Sequence, residues 1–593
     1  MGLERFAQSV RVIRAGQVEE RAGGGRGLGE AVERGGAVAA LGLLADGADE
    51  VELLDDGLSL RVRRVEGGAT VTTRSRDGAT TEQRLTLASP VLDLAAALHD
   101  PTRPLRWHEG RWWTGPGPAE LVIPAILPER LGAAGFREAH GLGFAYMAGA
   151  MAAGIASPGL VIALGKAGFL GSFGAGGLPL EAVGDAVREI RRAGAPAAFN
   201  LLHNPAEPAV EDATVSLYLE HGCQAVEASA FMGLTPAVVR FRLAGAREEQ
   251  GQAVAPNRVI AKVSRAEVAE AFLRPAPARM LEELLAKRVI TRAQAELARR
   301  LPIAEDVTVE ADSAGHTDRR PLGVLVPQMR RLADRIAAEI GGAPARIGAA
   351  GGIGDPWTLA GALALGADYV VTGSINQATR EAETSTAVRE LLAAAGSADV
   401  AQAPAPDMFE FGASVQVLSR GTLYAQRAAR LYELYRVYPS LEAIPAAERE
   451  RIERQVLQRS FEEIWRETEA FWAARSPGEV ERAARDPRHR MALCFRWYLG
   501  QSSRWARAGE LDRRRDYQVW CGPAMGLFND WARGTWLEPL AARSAVSVAR
   551  ALLFGAAVAQ RVQLAATVGP LPASARRVLP NPIADVRAAG GSS

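Results

Sequence analysis

The sequence predicts an α/β protein: a TIM (β/α)8 barrel, preceded by a small β-rich N-terminal domain and followed by a helical C-terminal domain. Three observations carry this. Between about 144 and 395, strand-like apolar runs alternate with helical patterns. The runs begin near Phe144, Phe169, Ala197, Gln224, Arg258, Val307, Ala345 and Asp368, and eight βα units in about 250 residues is the size of such a barrel. Composition then shifts: the barrel region holds one tryptophan, Trp357, whereas residues 408–593 hold seven of the eleven. An open doubly wound sheet is the rival arrangement.

Residues 1–118 form the β-rich region and its linker. Residues 1–30 read as ragged, with AGGGRG at 22–27. From about 36 to 95 the pattern is strand-like, and Asp56-Gly57 between two alternating runs signals a hairpin. Residues 100–118, with Trp107, Trp112 and Trp113, read as a linker or cap. The barrel is expected over 119–395. Leu142 to Gly165 carries no charge and is long enough to span a bilayer. Ser157-Pro158 cuts it at a natural helix start, so strand, loop and buried helix is the preferred reading. Val183, Val187 and Ile190 share a helical face that stops at Gly194, and Met329, Leu332, Ile336 and Ile340 share one that stops at Gly341. The stretch near 268–303 is too long for one crossover helix and reads as a helical insertion over the barrel mouth. Residues 396–407 read as a linker. The helical domain follows over 408–593, where Ser460 and Glu463 form a capping box ahead of Phe461, Ile464, Trp465 and Phe471.

The chain has 593 residues, 48% hydrophobic and 23% charged, with a formal net charge of +1. That balance speaks against a nucleic-acid binder. Cys223, Cys494 and Cys521 are widely spaced, which fits no disulfide framework or zinc site and suggests a reducing, cytoplasmic setting. MGLERFAQSV has no long apolar stretch, so no signal peptide is expected. No metal site is expected, since no carboxylate–histidine spacing for zinc or iron occurs.

Chemistry in such a barrel sits at the C-terminal ends of the strands. After the seventh strand comes AAGGIGD, and after the eighth TGSINQAT. Gly351, Gly352, Gly373 and Ser374 could let backbone N–H groups approach a phosphate, although single glycine loops often make only tight turns. Ala148 and Gly149 end the first strand and leave room for a planar ligand. Asn200 and His203 lie at the end of the third, Glu227 and Ser229 at the end of the fourth, and Lys262 inside the fifth. A lysine there needs an anion or electron-rich ligand, unless it simply reaches solvent. His316, flanked by Gly315, follows the sixth strand in EADSAGHTDRR. It is either a proton or hydrogen-bond donor over a cofactor or a loop histidine in water.

MAGAM, KAGFLGSFGAGGLP, EADSAGHTD, AAGGIGD and VVTGSINQAT resemble the flavin-dependent barrels of 2-nitropropane dioxygenases and related enoyl reductases. The C-terminal stretches DMFEFGASVQVLSRGTLYAQRAARLYELYR, MALCFRWYLGQSSRWA and DYQVWCGPAMGLFNDW resemble the PfaD-type trans-acting enoyl reductases of polyunsaturated fatty acid and polyketide synthases. The resemblance implies FMN across the barrel mouth, with NADPH as co-substrate and carrier-bound enoyl thioesters as substrates. The phosphate would meet Gly351, Gly352, Gly373 and Ser374. The ring would lie near Ala148, Gly149, Asn200 and Lys262, and Gly315 would also belong to the cofactor site. His316 matches the catalytic histidine, which would deliver a proton or polarise the thioester carbonyl. Ala314 and Arg319 stand where the family usually has glycine and asparagine. The implied partner is an acyl carrier protein, which Arg496, Arg504 and Arg507 could meet. No nucleic acid or membrane span is implied, and a homodimer is compatible. Nitronate monooxygenase and a non-catalytic carrier-binding scaffold are the alternatives.

Overall fold

The computed structural model describes residues 9–14, 17–22, 49–55, 58–65, 68–74, 78–85, 89–115, 117–205, 207–315 and 317–582. The Asp56-Gly57 turn and His316 lie outside the described residues. The chain divides into two compact units, one of residues 1–127 with 557–578, the other of 128–556 with 579–593.

The first unit holds a six-stranded antiparallel sheet. Its order is Gln17–Ala22, Ser9–Arg14, Glu50–Asp55, Leu58–Val65, Gly68–Arg74 and Thr80–Leu85. Two of these strands fall inside the stretch expected to be ragged. Alternation explains them: Val10 and Val12 turn to the buried face beside Val51, Leu53, Leu60 and Val62. Residues 105–108 and 111–114, expected as linker or cap, are paired strands of a smaller sheet, in which Trp107 and Trp112 pack edge to face. Arg561 is fully buried, and burial pulls its guanidinium down to about 10. It is tolerated because it donates to the carbonyls of Leu98, Pro124 and Ala97.

The second unit contains a closed, all-parallel barrel of eight strands: β1 (Tyr146–Ala148), β2 (Leu170–Phe173), β3 (Ala198–Leu202), β4 (Ala225–Ser229), β5 (Arg258–Val263), β6 (Asp306–Glu310), β7 (Arg346–Ala350) and β8 (Tyr369–Thr372). The pairing of β1 with β8 closes it. Every strand starts within about two residues of its expected position, because buried parallel strands read as short apolar runs. The uncharged stretch from Leu142 is β1, a loop and the helix Pro158–Lys166, whose N-cap Ser157 accepts from Leu160 N. Helices Leu180–Ala193 and Leu322–Ile340 stop at left-handed Gly194 and Gly341. Ile340, expected on the buried face, is exposed at the last turn. Among the described residues one helix, Ala545–Ala566, is long and apolar enough to cross a membrane, and 78% of its most apolar window is buried.

Phe136 closes the interior at the N-terminal end of the strands by stacking on Tyr369, with centroids 4.0 Å apart. Beside it, fully buried Asp306 meets His140 at 3.0 Å and the Arg346 fork at 2.6 and 2.9 Å. Burial alone would raise the Asp306 carboxyl, but hydrogen bonds from His140 and Arg346 hold it below its usual range. Arg346→Met should therefore cost about 3–5 kcal/mol in denaturant unfolding, the usual loss when one partner of a buried ion pair is removed. A depressed folded value means that the stability Asp306 contributes is present above its ordinary value of 3.8 and lost as pH falls through the folded one. Acid unfolding of Asp306→Asn should accordingly depend less steeply on pH than that of the parent.

The insertion near 268–303 comprises Ala266–Leu273, Ala278–Ala286 and Arg292–Ala298. It does not cover the mouth. Gln294 donates to Leu243 O at the end of helix Pro236–Leu243, and Ala304 N donates to Phe272 O just ahead of β6. These contacts belong to the N-terminal end of the barrel. The stretch 396–407, expected as linker, carries Val400–Pro404, paired antiparallel with Ser414–Leu418. Helices Tyr424–Val437, Phe461–Arg475 and Pro487–Ala508 then pack around Leu431, Ile464, Phe495 and Tyr498. The capping box at Ser460 forms as expected, while Phe471 faces solvent.

Candidate active site

Lys262 on β5 is the cation of the mouth. Its Nζ lies 3.4 Å from Glu310 Oε1 on β6 and 4.0 Å from Glu227 Oε1 on β4. Burial pulls the ammonium down, but Glu310 and Glu227 outweigh it and hold the group above the usual lysine value. Glu227 is fully buried and its Oε2 accepts from Ala150 N at 2.8 Å. Asn200 on β3 donates to Glu227 O and Ser229 Oγ. All five side chains line one cavity of about 360 Å³ at the C-terminal end of the strands.

The glycine loops after β7 and β8 line the same cavity. Gly351 and Gly352 have φ of 99° and 72°, where a side chain would strain the backbone. Gly373 has φ −126°, and a Cβ there would meet nothing within 4 Å. Ser374 Oγ accepts from Gly522 N at 3.0 Å. That bond introduces the roof, because Pro406, Asp407, Ser503, Trp520 and Gly522–Ala524 also line the cavity. Gln416 ties the roof to β6 by donating to Asp312 at 2.7 Å. The backbone at Gly354 lies so near Ala524 O that a side chain would overlap it.

The collar after β6 is anchored on both sides of His316. Gly315 lies against the Glu310 carboxylate, so a Cβ there would require the Glu310 side chain to shift. Thr317 Oγ1 donates to Glu310 O, and Arg265 holds Asp318 at 2.7 and 2.9 Å. The hydrogen bond from Arg265 also keeps the Asp318 carboxyl below its usual range. Arg319, exposed at φ 57°, takes a left-handed conformation that asparagine tolerates better. Arg319→Asn should gain up to about 1 kcal/mol in thermal unfolding.

Gly149, Asn200, Lys262, Gly315, Gly351, Gly352, Gly373 and Ser374 thus converge on one cavity. Ala148 does not reach it. This residue is fully buried within β1, on the side of the strand opposite Met147, which joins the barrel interior. His203 also stands apart, paired with Glu211 at 2.7 Å and stacked on Phe231. Arg496 supports the roof by donating to Pro406 O, and Arg507 donates to Ala153 O at the cavity wall. Arg504 is exposed. Sequence reasoning missed Glu310 and the identity of the roof residues. Glu310 was visible as an acid closing an apolar strand, while the roof residues come from positions far apart in the chain.

Residues 438–517 match the family described as the inserted helical domain of [acyl-carrier-protein] S-malonyltransferase. Among solved structures, the enoyl reductase domain of MlnA, from the macrolactin biosynthesis cluster of Bacillus amyloliquefaciens, superposes with a TM-score of 0.71. It is 36% identical, and the match covers 74% of this chain and 99% of that one. The chain belongs to the family of the MlnA enoyl reductase domain. This family placement agrees with two curated relatives. A polyunsaturated fatty acid synthase component of a Thraustochytrium species is 48% identical over 466 residues, 76% of this chain and 31% of that protein. Polyketide biosynthesis protein PksE of Bacillus subtilis is 43% identical over 442 residues, 74% of this chain and 57% of that protein. This chain therefore spans less than a third of the first relative and just over half of the second.

Proposed function

We propose that this chain is a PfaD-type enoyl reductase of the cytoplasm. It acts in trans on enoyl thioesters tethered to an acyl carrier protein of a polyketide or polyunsaturated fatty acid synthase, with FMN as cofactor and NADPH as co-substrate. The observation that carries the reading is a barrel-mouth cavity lined by two glycine loops and a lysine–carboxylate cluster, and roofed by residues from three stretches of the C-terminal half of the same chain. The residues fit the cofactor. The loops after β7 and β8 leave room for its phosphate, and the cluster on β3 to β6 offers polar groups to a flat ring. When bound, the flavin supplies hydride transfer between NADPH and the β-carbon of the enoyl group.

The chain's own residues do the rest. Lys262 stays protonated between two carboxylates and presents positive charge to the mouth. The roof excludes water and walls the acyl chain. His316 delivers a proton to the α-carbon or polarises the thioester carbonyl. The test is anaerobic: the flavin-loaded protein should be bleached by NADPH and regain its yellow colour with an enoyl thioester. Oxygen consumption with alkyl nitronates would support a nitronate monooxygenase instead, and a protein that takes up no flavin would be a scaffold.

Docking of the carrier is checked at Arg504, the exposed arginine next to cavity-lining Ser503. Arg504→Glu should raise KM several-fold for carrier-bound substrate and leave a short free thioester unaffected, because reversing a rim charge acts on protein encounter. Equal effects on both substrates would remove Arg504 from docking.

A further inference from the structure

Glu227 holds a feature that the barrel itself does not use. One carboxylate oxygen, Oε2, accepts from Ala150 N at 2.8 Å. The other, Oε1, is buried and has no hydrogen-bond partner among the described residues. Lys262 Nζ stands 4.0 Å away, beyond hydrogen-bonding distance, and leans instead toward Glu310. Leaving a buried charged acceptor unsatisfied is costly, and such exceptions are expected to have a reason. The residue lines the mouth cavity, so a ligand there can supply the missing donor.

The position of Glu227 narrows the choice of donor. If the cofactor phosphate sits on the loops after β7 and β8, a ring crossing the mouth has its far end over β3, β4 and β5. Polar groups gather there: Asn200, Glu227, Ser229 and Lys262. Of the two ends of a flavin ring, one is a dimethylbenzene and the other an imide, with an N–H between two carbonyls. A lone acceptor beside an ammonium donor complements the imide and mismatches the hydrocarbon end.

We propose that Glu227 is a cofactor-binding residue whose free Oε1 accepts the imide N–H of the flavin ring, with Lys262 beside it facing a ring carbonyl. The inference rests on the flavin reading above, and its test is built on binding alone. Apoprotein is titrated with FMN and with FMN methylated at the imide nitrogen, following quenching of flavin fluorescence. The parent should bind the methylated form about tenfold or more weakly, the usual weight of a hydrogen bond to a charged group. Glu227→Gln can still accept from Ala150 N through its amide oxygen, but it turns an NH2 toward the imide N–H. It should unfold at the parent's temperature as apoprotein and bind FMN about tenfold or more weakly. It should also lose most of the discrimination against the methylated form. Full FMN affinity in a folded Glu227→Gln overturns the assignment, as does an equal loss for both ligands. If the variant does not fold, the parent decides alone: equal affinity for FMN and its methylated form overturns the proposal. A parent that binds neither ligand overturns the flavin reading, and this inference with it.

Discussion

Replacing His316 by alanine should leave flavin bound and keep reduction by NADPH within several-fold of the parent. Reoxidation by the enoyl thioester should fall by on the order of 10²–10⁴-fold, the usual size of a lost general acid. The selectivity follows from the anchoring of the collar. Gly315 packs against Glu310, Thr317 bonds to the Glu310 carbonyl, and Asp318 is clamped by Arg265. With both flanks fixed, truncating the side chain between them should not release the loop or the cofactor. Rapid mixing without oxygen reads the two half-reactions separately. An unchanged reoxidation rate would make His316 a bystander, and a loss confined to the NADPH half would make it a nicotinamide-positioning group.

Gly373→Asp should weaken FMN binding by on the order of 10²–10³-fold, because like charges set face to face cost several kcal/mol. This position gives a cleaner test than Gly352. At Gly352 the φ of 72° would strain any substitute, whereas at Gly373 the backbone has φ −126° and open space beyond the Cβ. Unfolding should shift by about 0.5 kcal/mol or less, as for surface changes elsewhere. Gly373→Ala serves as the companion variant and should retain flavin. A folded Gly373→Asp with full flavin content would move the phosphate away from these loops.

How legible this was in the sequence depended on whether the signal was local. The strands of the barrel are short apolar runs bounded by turns, so each could be found without knowledge of its neighbours. The cavity followed from them, since the fold places strand ends together. Lys262 and the glycines stood out because their residue types are odd for their positions. Ala148 was assigned to the mouth through its neighbour Gly149, and strand alternation turned its side chain the other way. The insertion near 268–303 announced itself by length, but length says nothing about which end of the barrel it packs on. The mouth is roofed instead by residues near 406, 503 and 520–524, a juxtaposition created by packing alone. Strand Val400–Pro404 was hidden by the proline- and alanine-rich look of its neighbourhood.

The close approach of Gly354 to Ala524, and of Gly526 to Ser397, bears on how this protein can be recombined. At both places backbone meets backbone with no space for a side chain, so barrel and roof fit only as a matched pair. A chimera joined within 400–404 would split the Val400–Pro404 strand that pairs with Ser414–Leu418, and would set a foreign roof against these contacts. Exchange of specificity between relatives is therefore better attempted with one uninterrupted cassette that carries barrel and roof together, with no junction inside 396–407 or inside the helix Ala545–Ala566.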